Sequence, residues 1–492
     1  MRWKPFLISS TLSLALLFGQ AGVVAAETVD PQEHTLLELY RLIVDRHYTH
    51  PDRDKVLQGA IKGMLEVLQD PFSSYMTPDE YAAFIKALDN QYAGIGTQLN
   101  SAKTGEILIT EVYDNSPAQR AGLQAGDRIL TVDGQAVTGK QIDSVAPLVR
   151  GKAGTETVLT IMRGSVGPQT IKVKREEISL PTVTAKDMGN GVGYLRILTF
   201  GGNTSREFFT EYDKLIATSP NGILLDLRGN GGGSVLSALE IADHFLTSGT
   251  MLVLHDESGE TQEIKADELG TDIPVAILVD QHTASASEML AGALQQNGRA
   301  KLIGTQTYGK GTMQEPITLQ SGGVLKLSVD AWALGDGSSI QEVGLTPDIR
   351  LTFPSVMVNG GLNQLLPKRE QTLTLQRSGG SGELNGVRLL DVPALLTKQG
   401  QDFLPLRYVV EAFGSEVKWL PEASAVQFSL ENQTVRVQLR TGTVSVNDKD
   451  LRLQSSEVHV ENGVTYLSSR ALDLILGGGI QATDRTITIR AD

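Results

Sequence analysis

A chain of 492 residues is longer than one hydrophobic core ordinarily supports, and it predicts roughly three or four domains. The formal net charge of −14 argues against nonspecific binding to nucleic acid or to an anionic membrane surface. The absence of cysteine excludes disulfides, thiolate metal ligands and a cysteine nucleophile.

The first 26 residues have the composition of a secretory signal peptide. Arg2 and Lys4 form a short basic stretch, residues 6–18 are mostly apolar, and residues 24–26 are small enough for a cleavage site. The apolar stretch is short for a full membrane span, and an uncleaved anchor is the alternative. Both interpretations predict an extracytoplasmic protein, secreted or associated with the membrane or cell wall, that meets a membrane only through this segment.

Residues 27–91 are predicted to form a helical region. Leu36, Tyr40 and Val44 belong to a set of apolar residues that recur at helical spacing. A further helix is expected to start at Thr77-Pro-Asp-Glu80, where threonine is a good N-cap, proline suits the first helical position and glutamate completes a capping box.

Residues 92–175 change to short β-like runs separated by turns. Among them lies Ser116-Pro-Ala-Gln-Arg-Ala-Gly-Leu-Gln-Ala-Gly-Asp127, which resembles the PDZ family. The resemblance implies a small β-sandwich or barrel in which Gly94, Ile95 and Gly96 form the loop that binds the C-terminal carboxylate of a peptide. Glycine suits this loop because it lets backbone N–H groups approach the carboxylate closely.

Residues 176–355 alternate buried strands with helices. Gly222–Arg228 and Pro274–Asp280 are apolar runs that indicate strands, and each is followed by a helical pattern. Strand–helix–strand order predicts an α/β layer built on right-handed crossovers. Residues 356–369 are expected to be a linker.

Residues 370–492 are predicted to be a β-rich module with two short helices. Residues 403–414 match residues 466–477 at one constant offset, so the module contains an internal repeat. It resembles the copper amine oxidase N-terminal-like "stalk" modules of bacterial envelope proteins. It holds one histidine, His459, and no cysteine, so we expect a structural or adhesive role, and a cell-envelope ligand is left open.

Two short segments contain residues suited to chemistry: the first can bind an anion, and the second contains a candidate serine nucleophile. Gly229-Asn-Gly-Gly-Gly233 joins a predicted strand to a helix start, where N–H groups can bind a phosphate or an oxyanion; a plain tight turn is the alternative. Ser285, in Thr283-Ala-Ser-Ala-Ser-Glu288, opens the next helix. By position alone it is either an N-cap or a nucleophile, and Ser287 competes for both roles.

Lys310, in Tyr308-Gly-Lys-Gly311, is a candidate catalytic base, and a phosphate-binding lysine is the alternative. Gly304–Lys310 fits most of a phosphate-binding P-loop, but Gly311 stands where serine or threonine is required, and the residues beyond it are predicted to be extended. A serine–histidine site is disfavoured, because His282 is poorly placed over Ser285 and His244 falls within a helix pattern.

Taken together, these segments resemble the C-terminal processing, or tail-specific, serine peptidases. The resemblance covers about residues 35–355 and includes Leu-Asp-Leu-Arg228 before the glycine loop. It implies a multidomain α+β protein: a helical N-terminal region, a PDZ domain, an α/β protease core of the ClpP/crotonase type and the β-rich C-terminal module.

The family resemblance also implies residue roles. Ser285 would be the nucleophile, Lys310 the general base and Gln314 the residue that orients the lysine. Gly231 and Ala286 would donate N–H groups to the oxyanion. A free lysine has a pKa of about 10.4 and is a poor base at neutral pH, so this role requires a buried site. The resemblance implies no metal and no cofactor.

The predicted function is that of an extracytoplasmic serine endopeptidase that cleaves proteins near flexible C-terminal tails captured by its PDZ domain. Arg150, near the end of the predicted PDZ helix, is either a solvated surface residue or a residue that couples the PDZ domain to the protease. A homo-oligomer is left open. The alternative function is a non-catalytic envelope scaffold that binds peptides through its PDZ and stalk modules.

Overall fold

The computed structural model describes residues 30–101, 105–164, 166–256, 258–267, 269–366, 369–430, 433–451 and 455–491. The predicted signal peptide lies outside these residues. The chain divides into two compact units, Met1–Pro71 and Phe72–Asp492. Within the described residues, no helix is both long enough and apolar enough to span a membrane.

The first unit contains two helices, α1 (Pro31–Arg46) and α2 (Arg53–Val67). Each starts at an aspartate whose side chain accepts backbone N–H groups of the first turn: Asp30 caps α1 and Asp52 caps α2. The predicted helical periodicity is confirmed in α1.

The second unit opens with a short strand and a capped helix, β1 (Ser74–Met76) and α3 (Pro78–Leu88), followed by β2 (Gln91–Gly94). The predicted capping box is present: the Thr77 N–H donates to the Glu80 carboxylate at 2.8 Å, and the Glu80 N–H donates to Thr77 Oγ1 at 3.3 Å. Local sequence alone therefore determines where α3 begins.

The predicted PDZ region is a six-stranded antiparallel sheet with two helices. Its elements are β3 (Thr97–Ser101), β4 (Ile107–Val112), α4 (Pro117–Arg120), β5 (Arg128–Val132), β6 (Gln135–Ala136), α5 (Ile142–Val149), β7 (Glu156–Met162) and β8 (Pro168–Lys174). The strand order is β3-β4-β5-β7-β8, with β6 on β5. Ile109, Ile129 and Leu159 are among the fully buried residues of its own core.

The next strand, β9 (Glu176–Ser179), brings the chain back to β2. The two strands pair antiparallel, with Gly94 opposite Glu176 and Gln91 opposite Ser179. The PDZ region is therefore inserted between two paired strands that lead to and from the rest of the unit.

The α/β core follows. Its elements are β10 (Val183–Asp187), β11 (Val192–Ile197), α6 (Thr204–Ile216), β12 (Gly222–Asp226), α7 (Val235–Phe245), β13 (Thr250–His255), β14 (Thr261–Lys265), β15 (Val275–Val279), α8 (Ala286–Gln296), β16 (Ala300–Gly304), β17 (Thr312–Thr318), β18 (Val324–Ala333), β19 (Ile349–Arg350) and α9 (Pro354–Leu365). The main sheet has the order β10-β11-β12-β15-β16-β19 and is parallel from β11 onward. A second sheet has the order β1-β18-β13-β14, with β17 on β18.

Both faces of the main sheet are buried, as expected for parallel strands. Alternate residues of β12 serve two cores: Ile223 and Leu225 pack with helices α6, α7 and α8, whereas Leu224 packs with α9 on the other face. All five residues of β12 and of β15 are buried. The loops that follow these strands therefore meet at one edge of a rigid sheet.

Most of the stretch predicted as a linker, residues 356–369, is helical, because α9 continues to Leu365. Because Gly360 and Gly361 are poor helix formers, the sequence did not predict this helix. The sheet requires them, since a Cβ atom on Gly361 would lie 2.4 Å from Leu224 Cδ1. Tertiary packing overrides local propensity here, and the other predicted boundaries stay predictions.

The C-terminal module is β-rich. Its elements are β20 (Gln371–Gln376), β21 (Gly382–Leu384), β22 (Val387–Leu389), β23 (Leu396–Lys398), β24 (Gln401–Pro405), α10 (Leu406–Ala412), β25 (Lys418–Leu420), β26 (Ala425–Leu430), β27 (Gln433–Gln438), β28 (Val444–Val446), β29 (Lys449–Asp450), a 3₁₀ turn (Ser455–Glu457), β30 (Val458–Glu461), β31 (Val464–Ser468), α11 (Ser469–Ile475), β32 (Ile480–Ala482) and β33 (Thr486–Ala491). The two repeats are matching strand–helix units: β24 leads into α10, β31 leads into α11, and the two strands pair.

The module is joined to the protease core through α9. Val356 of α9 belongs to the module's hydrophobic core. Fully buried Glu411 accepts the Thr352 N–H at 2.5 Å, and the Asn359 side chain donates to the Ala412 carbonyl at 2.7 Å. One helix is thus shared by two cores, and the predicted multidomain α+β architecture with a β-rich end is confirmed.

Candidate active site

Four of the five residues predicted for catalysis line one cavity of about 710 Å³. These are Ser285, Lys310, Gln314 and Gly231. The cavity lies where the loops after β11, β12 and β15 leave the carboxyl edge of the sheet, the usual position of a binding site in an open α/β sheet. Ala286, the fifth, is fully buried beside Ser285.

Ser285 sits on a strained turn between β15 and α8. Its backbone has φ 56° and ψ −120°, a combination that residues other than glycine rarely adopt. Ser287 is fully buried, and its hydroxyl donates to the Asn230 carbonyl at 3.0 Å. Of the two competing serines, Ser285 is therefore the one that lines the cavity.

The glycine loop lies directly against Ser285. A Cβ atom on Gly232 would be 2.9 Å from Ser285 Cβ and 3.0 Å from the Ala286 nitrogen, so glycine is required there. Gly231 is exposed, and its N–H donates to no acceptor in the described part of the chain. The Ala286 N–H belongs to the first residue of α8 and has no intrahelical partner.

Asn230 holds the glycine loop in shape. It is fully buried; its side-chain oxygen accepts the Gly232 N–H at 2.9 Å, and its side-chain nitrogen donates to the Ile197 carbonyl at 3.0 Å. Its backbone carbonyl accepts the Ala284 N–H at 3.0 Å. The role of Asn230 was not predicted from the sequence, although an asparagine inside a glycine run is a local signal for such a turn.

Glu288 links the serine to the lysine segment. This fully buried carboxylate accepts the backbone N–H of Ser285 at 2.8 Å and the backbone N–H of Lys310 at 3.0 Å. It also accepts the Gly309 N–H at 2.7 Å and the Thr307 hydroxyl at 2.6 Å. The bonds to residues 307–310 join segments about 20 residues apart and arise from tertiary structure.

Lys310 lies two residues before β17. A strand therefore follows where a P-loop needs a helix, and the P-loop alternative is wrong. The ammonium Nζ lies 4.6 Å from the centroid of the Phe72 ring. The Lys310 carbonyl accepts the indole N–H of Trp332 at 3.1 Å. Gly309 has φ +87°, and a Cβ there would be 2.7 Å from the Gly344 nitrogen, so glycine is needed beside the lysine.

Gln314 lies on β17, four residues after Lys310. Its Nε2 group donates to Thr312 Oγ1 and to Ser328 Oγ, both at 3.0 Å. These two bonds use the N–H groups of the side-chain amide. The amide oxygen, Oε1, is the hydrogen-bond acceptor of the side chain.

Helix α3 forms a wall of the same cavity. Tyr81, Phe84, Ile85 and Leu88 line it, which makes this wall largely apolar. Helix α3 itself was predicted from the sequence, but its place in the site was not. No local pattern signals it, because the contacts join segments more than a hundred residues apart.

A second cavity, of about 370 Å³, contains the residues predicted to bind a peptide C-terminus. Gly94, Ile95 and Gly96 line it, together with residues of β3 and α5. Gly96 has φ +79°, and a Cβ there would be 2.3 Å from Ser116 Cβ. Arg150 lines the same groove. The two cavities share no lining residue.

The Arg150 side chain packs on an aromatic ring rather than extending into solvent alone. Its guanidinium carbon lies 4.9 Å from the centroid of the Tyr92 ring. Burial, and to a lesser degree Tyr113, raise the pKa of Tyr92 to about 12, against the opposing charge of Arg150. Tyr92 therefore stays neutral at physiological pH, and the ring is a cation–π surface for the arginine.

The histidines take no part in the cavity that contains Ser285. His282 is not among its lining residues. His244 packs edge-on against Tyr212 and Phe209, with ring centroids 4.6 and 5.3 Å apart, and burial lowers its pKa. In the C-terminal module His459 pairs with Glu461 at 3.0 Å and contacts Lys398.

Four family models match the chain. Peptidase family S41 matches residues 191–351, the PDZ domain residues 108–163, the copper amine oxidase N-terminal domain residues 383–490, and the activating protease CtpB N-terminal domain residues 23–80. The core, the peptide-binding region and the C-terminal module predicted from the sequence each have a match.

Curated relatives match the chain over about three quarters of their own length. The chain is 34% identical over 351 residues to "Carboxy-terminal processing protease CtpA" of Bacillus subtilis (strain 168), covering 70% of this chain and 75% of the relative. It is 33% identical over 352 residues to "Carboxy-terminal processing protease CtpB" of the same organism, covering 70% and 73%. The solved structure of a photosystem II D1 C-terminal processing protease matches with 26% identity, a TM-score of 0.41, and coverage of 67% of this chain and 95% of that one.

The protein is a serine peptidase. The chain belongs to peptidase family S41 and, within it, to the carboxy-terminal processing proteases that also carry a PDZ domain.

Proposed function

We propose that this protein is an endopeptidase that uses Ser285 as nucleophile and Lys310 as general base to cut proteins near flexible C-terminal tails. One observation carries the assignment. Ser285 stands at a strained turn against the glycine loop, and a single buried carboxylate, Glu288, ties its backbone to that of Lys310 within one cavity.

The chemistry follows from these positions. Lys310, in its neutral form, accepts the Ser285 hydroxyl proton as the oxygen attacks the scissile carbonyl carbon. The Gly231 and Ala286 N–H groups donate to the oxyanion that forms. The lysine then gives its proton to the leaving amine, and an ester links the substrate to Ser285. Water, deprotonated by Lys310, then attacks the ester carbon; the bond to the Ser285 oxygen breaks, the product acid leaves, and the lysine returns the proton to that oxygen.

Gln314 would orient the base. Its Nε2 donates to Thr312 and Ser328, and in this proposal its Oε1 accepts an N–H of the lysine. A neutral amide does this without adding a negative charge, which would favour the charged and inactive form of the lysine.

The second cavity would hold the substrate's tail. An extended peptide adds to the edge of β3, and its terminal carboxylate accepts N–H groups of the Gly94–Gly96 loop. Arg150, stacked on Tyr92 beside this loop, is placed to respond to a bound tail. A tail receptor of this kind selects the end of a chain and tolerates many sequences, and the partners are therefore unfolded or flexible protein C-termini.

The proposed working site is outside the cytoplasm. The basic, apolar and small-residue order of the first 26 residues supports secretion, with membrane contact only through that segment if it is uncleaved. Cell fractionation followed by N-terminal sequencing of the mature protein tests this. A full-length chain found in the cytoplasm would refute it.

Cleavage of an unstructured casein-like protein tests the catalytic assignment. Ser285→Ala and Lys310→Ala should each abolish cleavage, a loss of at least about 10³-fold in kcat. Ser219→Ala is the matched control, because Ser219 is exposed and also has a positive φ of 54° but lies outside the cavity. Lys301→Ala, on an exposed ion pair with Asp348, serves the same purpose for the lysine.

Two results would contradict the assignment. Cleavage that persists in both variants would refute the Ser–Lys pair. A wild-type protein that binds tail peptides but never cuts would favour a non-catalytic envelope scaffold.

A further inference from the structure

An aromatic ring lies against the proposed catalytic lysine from outside the cavity. The Nζ atom of Lys310 lies 4.6 Å from the centroid of the Phe72 ring. Phe72 is half-buried, and the residues that line the cavity around Ser285 do not include it. The ring therefore acts on the reaction through Lys310 and not by touching a substrate in the cavity.

Phe72 is held in place by its own ring contact and by the residue that follows it. Its ring meets the ring of Tyr308 edge-on, with the centroids 6.4 Å apart and the planes at 73°. Tyr308 precedes Lys310 by two residues, so Phe72 packs on the segment that carries the lysine. The next residue, Ser73, is buried, and its Oγ accepts the Ser328 N–H at 3.0 Å.

The strand that anchors Ser73 also positions Gln314. Strand β18 pairs with both β1 and β17. The Ser328 hydroxyl of β18 accepts an N–H of the Gln314 side chain at 3.0 Å. Phe72 and the amide proposed to orient the lysine are therefore both positioned by one strand of the second sheet.

The ring contributes to the reaction when the lysine carries a charge. As Lys310 takes the Ser285 proton, the O–H bond breaks, an N–H bond forms and the neutral amine becomes an ammonium ion. The face of an aromatic ring attracts a cation. A carboxylate in the same place would attract the ammonium ion more strongly and would hold the resting lysine in its inactive, protonated form. A phenyl ring supplies a weaker attraction, which leaves the lysine usable as a base.

We propose that Phe72 is a positioning residue for the general base: its ring holds Nζ and stabilises the Lys310 ammonium ion that forms as Ser285 attacks the substrate. This inference rests on the proposed function, because it assigns Phe72 a task in the Ser–Lys mechanism. It deepens that function, since the group that stabilises the transferred proton is uncharged and does not contact the substrate. The alternative is that the ring only covers the apolar stem of the lysine.

Several charged groups surround this contact. Asp89 and Lys326 line the cavity, and the Glu288 carboxylate accepts the backbone N–H of Lys310. Neighbouring segments of the chain carry further acidic residues, which are Asp70, Glu315, Asp330 and Glu342. A test of the ring must leave all of these groups unchanged. A substitution that alters only the charge distribution of the ring does so.

Replacement of Phe72 by trifluorophenylalanine keeps the shape of the ring and withdraws electron density from its face. The measurement is kcat/KM for a peptide of the casein-like substrate as a function of pH, because its acid limb reports the essential base of the free enzyme. Above the midpoint of this limb, kcat/KM should fall about two- to fivefold, the usual range for a cation–π contact. The midpoint should move down by about half a pH unit, because the charged lysine of the free enzyme loses the same contact.

Below both midpoints, the curves of the two proteins should converge to within about twofold. There the lysine starts as the ammonium ion, so the contact is lost both before the reaction and at the transition state, and the two losses offset each other. Damage to the site would instead lower the rate by the same factor at every pH. Phe72→Leu keeps apolar cover without an aromatic face and should resemble the fluorinated protein, whereas Phe72→Tyr keeps the face and should resemble the wild type.

Two controls assign the effect to this ring. The Phe84 ring lies 5.5 Å from Nζ of Lys326, a second lysine of the same cavity. Phe84→Leu removes part of the apolar wall and should raise KM, but it should leave the midpoint where it is. Asp70→Asn, combined with phenylalanine or trifluorophenylalanine at position 72, should preserve the difference between the two pH curves.

The outcomes separate the two proposals. If the wild type does not cut the peptide, or if Lys310→Ala cuts it equally well, the proposed function itself fails. The peptidase assignment stands and the role of Phe72 is refuted if the wild type cuts but the two pH curves superimpose or differ by one factor at every pH. Disappearance of their difference in the Asp70→Asn background also refutes the role of the ring.

Discussion

The PDZ domain and the C-terminal module are joined to the same protease core in opposite ways. The PDZ domain enters and leaves through one pair of strands, β2 and β9, with half-exposed ion pairs nearby such as Lys86–Glu177 and Arg120–Glu176. The C-terminal module shares helix α9 with the core through buried groups, among them Glu411 and Asn359. Exposed ion pairs contribute little free energy, whereas buried polar groups are costly to separate.

This difference indicates that the two domains differ in how freely they can move relative to the core. A domain attached by two strands can shift relative to the core without uncovering apolar surface or leaving buried polar groups unpaired. A module that shares a helix cannot, because its separation would expose Val356 and unpair the Asn359 amide. We therefore expect the PDZ domain to be the mobile part and the C-terminal module to be a fixed layer of the core.

Deletion of a whole domain should have the largest effect on the stability of the core. Removal of residues 371–492 should prevent the core from folding as a soluble unit, because it strips one face of α9. Replacement of residues 95–175 by a short glycine-rich turn should leave the core folded, since Gly94 and Glu176 are already paired across β2 and β9. Circular dichroism and thermal unfolding of the two proteins measure this, and the opposite order of stabilities would reverse the comparison.

Single substitutions at the two joints should also differ in their effect on the free energy of unfolding, although both effects are smaller than those of the deletions. Glu411→Ala removes a fully buried carboxylate and leaves the Thr352 N–H without its acceptor, and it should lower the free energy of unfolding by about 2–3 kcal/mol. Glu176→Ala breaks the half-exposed pair with Arg120 and should lower it by less than about 1 kcal/mol. Urea unfolding of both variants provides the values; equal losses would mean that burial does not distinguish the two joints.

Acid should weaken the joint between the main sheet and α9. Burial by itself would raise the pKa of Asp226, but Arg228 and Tyr194 outweigh it, so the pKa lies below its usual range. Arg228 also donates to the Pro354 carbonyl at the start of α9 at 3.0 Å. The stabilisation by a carboxyl with a lowered pKa is present above its unfolded-state pKa of about 3.9 and is lost as the pH falls through the folded-state value.

The corresponding measurement is the free energy of unfolding between pH 7 and pH 2. Asp226→Asn should be less stable than the wild type at pH 7 and should lose less stability as the pH falls below about 4. Parallel curves for the two proteins would show that Asp226 does not contribute to the acid sensitivity.

Arg150→Ala should have the smallest effect on stability and a specific effect on the PDZ groove. Loss of the stacking contact with Tyr92 should lower the free energy of unfolding by about 0.5–1 kcal/mol. Because Arg150 also lines the groove, its removal should weaken tail-peptide binding. Arg150→Lys keeps the charge, and its affinity for the tail peptide should lie between those of the wild type and Arg150→Ala. Both basal and peptide-stimulated cleavage unchanged in Arg150→Ala would remove the support for a coupling role of this residue.

Local sequence accounts for much of the fold. The capping box at Thr77, the buried strands around Gly222 and Pro274, and the strand–helix repeat in the C-terminal module all depend on residues close together in the chain. Periodicity and turn chemistry act over such short separations, so they can be read without a structure. The catalytic roles assigned from family resemblance remain predictions, although the structure brings Ser285, Lys310 and Gln314 to one cavity.

The sequence by itself determined the family, the order of elements and the candidate serine and lysine. Only the tertiary structure decided that residues 356–365 form a helix shared by two cores, that Glu288 bonds to the backbone of both Ser285 and Lys310, and that Asp89 contacts a loop 113 residues away. The reason is physical: capping and periodicity come from neighbours along the chain, whereas a buried carboxylate finds its donors, and a glycine its close contacts, only after distant segments have packed together.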